Sequence, residues 1–399
     1  MAMRNPSRLP RAIWALGFVS MLMDISSEMI FALLPVFMVS TLGAPMAAVG
    51  VIEGVAEATA SVVKVFSGAL SDWIGRRKAL AVAGYGLAAL VKPLFALAPG
   101  LGWVMAARFL DRVGKGLRGA PRDAMIADFA PENARGAAYG LRQALDLTGS
   151  FLGPLGAMAF IWVFAGNIRA VFWVAAIPAA ASVLLLMLVV REPAARPRPA
   201  RFPLQRQELL RLPSSFWIVT GVAALLTLAR FSDAFLILKA QATGLHVALV
   251  PLALVGVNVV SSLTAYPAGR LSDRVNRAGL LAAAIPVLVA GDLVLALTRG
   301  TAGLALGIAL WGLHIGLTQG LLATLVADAA PADLRGTAFG LFNLLTGVAL
   351  LLASTLAGVL WQADGPRATF LAGAALAALS LAALAHARRR VAGLGAIRR

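Results

Sequence analysis

Cysteine is absent from the 399 residues, which removes disulfides, thiolate metal sites and thiol nucleophiles in one step. Charge is scarce as well. Asp, Glu, Lys and Arg make up 13% of the chain against 60% hydrophobic residues, and the mean hydropathy of +0.85 lies far outside the range of a soluble domain. The three histidines do not cluster, so no metal site is expected. No GxxxxGK(S/T) phosphate loop occurs, because Gly114-Lys115-Gly116 lacks both the upstream spacing and the hydroxyl; ATP is excluded as the direct energy source. An HExxH helix and a GxSxG elbow are missing too, so neither an enzyme nor a cofactor is expected.

What is present is apolar sequence in long runs. Stretches such as 12–39, 178–190 and 370–387 are apolar around most of a helix circumference, the signature of a membrane protein. Segments able to cross ~30 Å of hydrocarbon fall near 12–38, 46–67, 79–98, 101–122, 136–163, 169–190, 215–239, 247–268, 279–298, 302–325, 337–360 and 367–387. The first is too long for the core of a signal peptide and is read as helix one.

The formal charge of +17 is placed as loops beside anionic lipid would place it, not as a nucleic-acid groove. Arg4, Arg8, Arg11, Arg76, Arg77, Lys78, Arg135, Arg270, Arg274, Arg277, Arg335 and Arg388 to Arg390 fall on one side of the spans; Arg169, Lys239, Arg299 and Arg367 fall on the other. This asymmetry predicts a multi-pass protein of the bacterial inner membrane with both termini cytoplasmic. The Pro- and Arg-rich segment 191–213 reads as a cytoplasmic linker between bundles at 1–190 and 214–399.

The two bundles repeat. GALSDWIGRR at Gly68–Arg77 recurs as GRLSDRVNR at Gly269–Arg277, and ADFAPENARGAAYGL at Ala127–Leu141 recurs as ADAAPADLRGTAFGL at Ala327–Leu341, at offsets of 201 and 200 residues. A six-helix unit duplicated in parallel places a binding site between the halves at mid-membrane.

The loop Gly68-Ala-Leu-Ser-Asp72-Trp-Ile-Gly75-Arg76-Arg77-Lys78 resembles the signature loop of the major facilitator superfamily (MFS), and the resemblance covers essentially the whole chain. It implies an all-α membrane protein of twelve transmembrane helices in two parallel-repeat six-helix bundles, working by alternating access as a monomer on a small-molecule substrate and protons in the lipid bilayer. It also implies a conformational latch formed by Gly68, Asp72, Gly75, Arg76 and Arg77, with Asp273 in the second copy, where Asn276 replaces the second glycine. The run MDISSEM, IEGVAEA, DRVGKGLRGAPRDAMIAD and LRQALDLTG looks like one bacterial subfamily of these transporters. In span five Gly140, Gly149, Gly153 and Pro154 resemble the motif of drug/proton antiporters, with Gly156 in place of the closing glycine pair, which favours export. Glycines at these spacings let helices approach closely, and Pro154 weakens the backbone ladder; ordinary small-residue packing would leave the same pattern.

Charges inside spans point to mechanism, since each costs ~2.5–3.5 kcal/mol at a helix centre on insertion scales. Asp24 and Glu28 share a face of span one near the midplane, and Glu53, Glu57 and Lys64 share a face of span two, with Lys64 placed to neutralise an acid. Arg108, Asp111, Arg112, Lys115, Arg118 and Arg122 lie within ~120° of arc on span four and cannot face lipid. The resemblance makes Arg108 the arginine of that family's fourth span, while Arg112 replaces a usual glycine. One reading makes the stripe an anion-attracting wall, with Arg108 and Arg112 partnering Asp24 or Glu28; the other makes it internal salt bridges, with Arg118 and Arg122 reaching the cytoplasmic surface. Arg142 with Asp146, and Arg230 with Asp233, are spaced to pair with each other. His314 and Gln319 lie on span ten, which lines the cavity in this fold, as substrate ligands or packing groups.

These residues give proton-coupling candidates Asp24, Glu28, Glu57 and Asp146, and substrate-binding candidates Arg108, Arg112, Lys115, Arg142, Arg230, Asp233, His314 and Gln319. The function expected is proton-coupled export of a small anionic or zwitterionic solute. The alternatives are a proton symporter importing an organic anion and, from another class, a membrane sensor or scaffold that transports nothing.

Overall fold

The computed structural model describes residues 9–74, 76–130, 135–192, 211–272, 275–330 and 335–390; at some helical positions, among them Gly68, Asp72, Gly140 and Gln319, it describes the backbone alone. The first half comprises α1 (Arg11–Phe31), continued by Leu34–Val36 and a π-turn at Phe37–Thr41, then α2 (Met46–Ile74), α3 (Arg77–Leu97), α4 (Leu101–Phe129), α5 (Arg135–Val163) and α6 (Ile168–Val189). The second comprises α7 (Ser214–Ala229), resumed after a break as Ala234–Ala242, then α8 (Leu252–Ser272), α9 (Arg277–Leu297) and α10 (Thr301–Ala329). The last helical stretch, Arg335–Arg390, is broken by Gly365 at φ +79° into α11 (335–364) and α12 (366–390). Most of the 191–213 linker lies outside the described residues.

Ten helical segments among the described residues are long and apolar enough to cross a membrane. Two more follow physically. Ala338–His386 is one continuous apolar stretch of 49 residues, but at ~1.5 Å per residue it would run more than twice the hydrocarbon thickness if straight, and the Gly365 turn folds it into two crossings. α4 carries more charge than an ordinary spanning helix, yet Arg108, Asp111, Arg112 and Arg118 are all 4% exposed or less, so the stripe is turned into protein. Twelve helices cross, and both ends of the described chain lie on one face, here called the terminal face.

The halves pack alike. α1 lies on α5 and α6, α2 on α4, and α3 on α4 and α6; in the second half α8 lies on α10, and α9 on α10 and α12. The α7 break packs on α11 and α12, where Ser232 N donates to Ser354 Oγ at 3.1 Å and the Phe231 ring sits 5.4 Å from Phe370. The repeat extends to single positions 200 residues apart. Lys92 of α3 donates to Asp111 of α4 at 2.7 Å, and at the equivalent places Trp311 of α10 donates to Asp292 of α9 at 2.8 Å.

Between halves, α2 and α11 touch along most of their length, from Gly50 beside Ser354 to Val65 beside Gly340. A Cβ at Gly50 would stand 2.2 Å from Ser354 O, so only glycine permits that approach. α5 and α8 meet away from the terminal face, where Asn258 Nδ2 donates to Ser150 O at 3.2 Å and Trp162 stacks on His246 at 5.0 Å. Leu34–Val36 also packs on Ala234–Ala242 there. The halves are thus joined on the face opposite the termini.

Candidate functional site

A cavity of about 410 Å³ lies between the halves at mid-membrane. Glu28, Glu57, Arg112, Lys115 and Asp146 line it from the first half, and Arg230, Asp233, Asn258 and Trp311 from the second. The Trp162–His246 stack closes the α5–α8 seam beyond it, while along α5 the lining continues to the exposed Leu147 and Gln143, toward the terminal face.

The α4 stripe is mostly paired, with partners other than those expected. Arg108 makes a two-pronged contact with Glu53 of α2, Nε to Oε1 at 3.2 Å and Nη2 to Oε2 at 2.7 Å, and its guanidinium lies 4.9 Å from the Phe31 ring. Arg112 reaches Glu57 at 3.3 Å and Asp111 at 3.6 Å. Asp111 also holds Lys92, whose ammonium donates to Ser27 Oγ at 2.9 Å. The expected pairing of Arg108 and Arg112 with Asp24 or Glu28 is therefore corrected: α2 crosses α4 at these levels and presents its own acids to them. Charges removed from water persist only with such partners. Lys64 is exposed and forms no ion pair among the described residues, so it neutralises no acid of α2.

Arg118 does not reach the surface. It is 4% exposed with its guanidinium 5.0 Å from the Tyr85 ring. Arg122 hydrogen-bonds Ser20 and Asp123 and lies 3.8 Å from Asp146. Arg142 pairs with Asp146 at 2.9 Å, along α5, and with Asp123 at 3.5 Å. Asp146 thereby ties α5 to α4 at the edge of the cavity.

Asp24 and Glu28 form no ion pair among the described residues, and both sit where α1 crosses the glycines of α5. A Cβ at Gly149 would stand 3.0 Å from Asp24 Cβ and 2.7 Å from Met21 O; one at Gly153 would stand 2.5 Å from Glu28 Cβ. Glycine and acid motifs are one feature: small residues on α5 admit the acidic face of α1. Glu28 lines the cavity and Asp24 does not.

In the second half, Arg230 and Asp233 are not a helical pair. α7 stops at Ala229, Arg230 has φ −105° and ψ 74°, and the helix restarts at Ala234, with Ser232 Oγ accepting from Ala234 N at 3.3 Å. The predicted i,i+3 pairing is lost because the helix unwinds between the two residues; both line the cavity without an ion pair among the described residues. A broken helix whose irregular backbone faces a cavity is how membrane proteins build polar sites.

His314 turns away from the cavity. Its Nδ1 lies 2.8 Å from Ala284 O of α9, and the ring is fully buried. By the 200-residue repeat His314 stands where the first half has Gly114, which packs on Gly84. The side chains of Gln319 and Asp72 lie outside the described residues, as do those positions of the latch at Gly75 and Asp273; Gly68 and Gly140 are described in backbone only. Arg76 is exposed at the start of α3, and Arg77 pairs with Asp128 of α4.

Three contributors are absent from the sequence-based site. Lys92 sits in an otherwise apolar span, Glu53 has only Glu57 and Lys64 on its own helix face to suggest a role, and Trp311 carries no charge to mark it. The repeat offers the signal for two of them, because Lys92–Asp111 and Asp292–Trp311 fall at one offset.

The sequence profile of the Major Facilitator Superfamily matches residues 16–354 and 235–394. The chain is 32% identical to an MFS-type transporter of Methanocaldococcus jannaschii over 384 residues, 94% of each chain. It is 26% identical to the inner membrane transport protein YajR of Escherichia coli, covering 93% of this chain and 82% of that one. Its fold is similar to that of the nucleoside transporter NupG, with a TM-score of 0.80 at 14% identity over 94% and 99% of the two chains. It is also similar to a peptide transporter, with a TM-score of 0.81 at 15% identity over 99% and 97%. Twelve helices in two repeated halves around a polar central cavity, matched along nearly the full length by this profile, make the chain a member of the major facilitator superfamily, an integral membrane secondary transporter working by alternating access.

Proposed function

We propose that this transporter exchanges protons for a small anionic or zwitterionic organic solute, exporting the solute from the cytoplasm across a bacterial inner membrane. The observation that carries the reading is the state of Lys115. It lines the cavity, is exposed to it, and forms no ion pair among the described residues, whereas its α4 neighbours Arg108 and Arg112 are held by Glu53 and Glu57. Arg230 is the second cation in the cavity without such a pair. An anion bridging Lys115 of the first half and Arg230 of the second would draw the halves together.

Glu28 and Asp233 are the cavity carboxylates outside the ion-pair network. In the proposed cycle Lys115 holds the anionic group of a zwitterionic solute while deprotonated Glu28 holds its cationic group, and protonation of Glu28 withdraws that second contact and releases the solute, so that proton and solute occupy the site in turn. Each proton that enters thereby lowers the affinity of the site for its solute. The positive charge near the termini supports a cytoplasmic placement of the terminal face. The glycine and proline motif of α5 supports export.

The test is flux in liposomes carrying the purified protein and an internal pH dye, under an imposed pH gradient, with organic anions, zwitterions and lipophilic cations offered in turn. Proton movement that depends on an anion or zwitterion, opposite in direction to the solute, is the expected result. Co-directional movement would establish symport instead, and response to lipophilic cations alone would overturn the substrate class.

A further inference from the structure

Away from the central cavity, three cations surround one hollow at the face opposite the termini. The hollow, about 530 Å³, lies where the Ala234–Ala242 segment meets the α9–α10 and α11–α12 turns, and Lys239, Arg299, Arg367 and Asp364 line it. Lysine and arginine are rare on this face. Among the described residues, of Arg169, Lys239, Arg299 and Arg367 only Arg169 is engaged, donating to Ala96 O at 2.8 Å with its guanidinium 5.1 Å from the Phe37 ring. The other three converge on the hollow.

Lys239 is 9% exposed, and among the described residues its ammonium makes no hydrogen bond or ion pair. Arg299 and Arg367 are exposed and form no ion pair with Asp364. Three cations that face one hollow, none of them in an ion pair among the described residues, favour an anion among them. Nor is the cluster a by-product of the duplication: 200 residues earlier the positions are Val39, Pro99 and Asn167.

A second observation identifies the anion. Beside the hollow an apolar crevice of about 340 Å³ runs between α8 and α10, walled by Leu252, Gly256, Val260, Leu304 and Ile308. Gly300 lines the hollow and Thr301 the crevice; Thr243 lines the hollow and Leu245 the crevice. A charged pocket at the membrane interface that continues into a groove without charge matches a phosphodiester headgroup and its acyl chain. We propose that this is a binding site for an anionic phospholipid, its phosphate held by Lys239, Arg299 and Arg367 and one acyl chain lying between α8 and α10.

The test uses the purified full chain in a neutral detergent, titrated with phosphatidylglycerol, with phosphatidylcholine of the same acyl chains, and with inorganic phosphate. Bound lipid is read by native mass spectrometry and the unfolding midpoint by a thermal scan. Phosphatidylglycerol should stay bound and raise the midpoint, while the other two should not. Replacing both exposed arginines, Arg299→Gln with Arg367→Gln, should weaken it on the order of tenfold, and Ala305→Phe, which fills the crevice without altering charge, should weaken it as well. Equal binding of the two lipids would overturn the proposal, as would unchanged affinity in the double variant. Inorganic phosphate alone matching the effect would assign the hollow to a free anion instead.

Discussion

Gly153 of α5 lies directly against Glu28 of α1, with space for a hydrogen and none for a methyl group: a Cβ there would stand 2.5 Å from Glu28 Cβ and 2.9 Å from Ile25 O. Three residues on, the contact relaxes, since a Cβ at Gly156 would meet Met29 Sδ at 3.6 Å. Gly153→Ala should therefore cost about 1–3 kcal/mol by overpacking, whereas Gly156→Ala should stay near the wild-type midpoint in a thermal unfolding scan. Gly153→Ala should also shift the pH dependence of transport, because it displaces Glu28.

The Arg108–Glu53 contact is buried on both sides, at 2% and 0% exposure. Removing one partner strands the other charge, so Glu53→Gln or Arg108→Gln alone should destabilise the protein by about 3–5 kcal/mol. The double replacement should cost less than the sum. A thermal scan of the three variants gives the coupling directly, and additivity would show that the pair is not a unit.

Because the chain contains no cysteine, introduced thiols report without background. Asn258 and Ser150 join α8 to α5 at 3.2 Å through side chain and backbone. Oxidative or short-linker crosslinking of Ser150→Cys with Asn258→Cys should hold the halves in the arrangement described and stop transport, with recovery on reduction or omission of the linker. Continued flux through fully crosslinked protein would show that this seam does not open during the cycle.

Trp311 lines the cavity on one side and donates to the fully buried Asp292 on the other. Trp311→Phe keeps most of the packing and leaves Asp292 without its donor, a loss of about 1–3 kcal/mol. Adding Asp292→Leu, which removes the stranded acid, should restore part of that stability. Unfolding midpoints of the single and double variants check both statements.

Much of the architecture is legible in the sequence, because hydropathy and the 200-residue repeat act along the chain. The repeat announced two six-helix halves, and charge at α4 announced a helix facing protein. Pairing was not legible in the same way. Whether Arg108 meets Glu28 or Glu53 depends on which neighbour crosses α4 at that depth, a three-dimensional fact that helical spacing on one span does not contain. The break in α7 was hidden similarly: Arg230 and Asp233 fit a helical pair by spacing, and only the Ser232 contacts to Ala234 and Ser354 show why the helix stops. His314 stays open between cavity ligand and packing group in the sequence, because its repeat partner, Gly114, has no side chain to reveal which way that position faces.

The central claim is that Glu28 exchanges a proton against solute bound at Lys115, and proton flux in liposomes carrying Glu28→Gln tests it most directly. The account predicts that the variant still exchanges solute across the membrane while solute-dependent proton movement disappears. Proton-coupled transport that persists in Glu28→Gln and in Asp24→Asn, with wild-type dependence on pH, would contradict it.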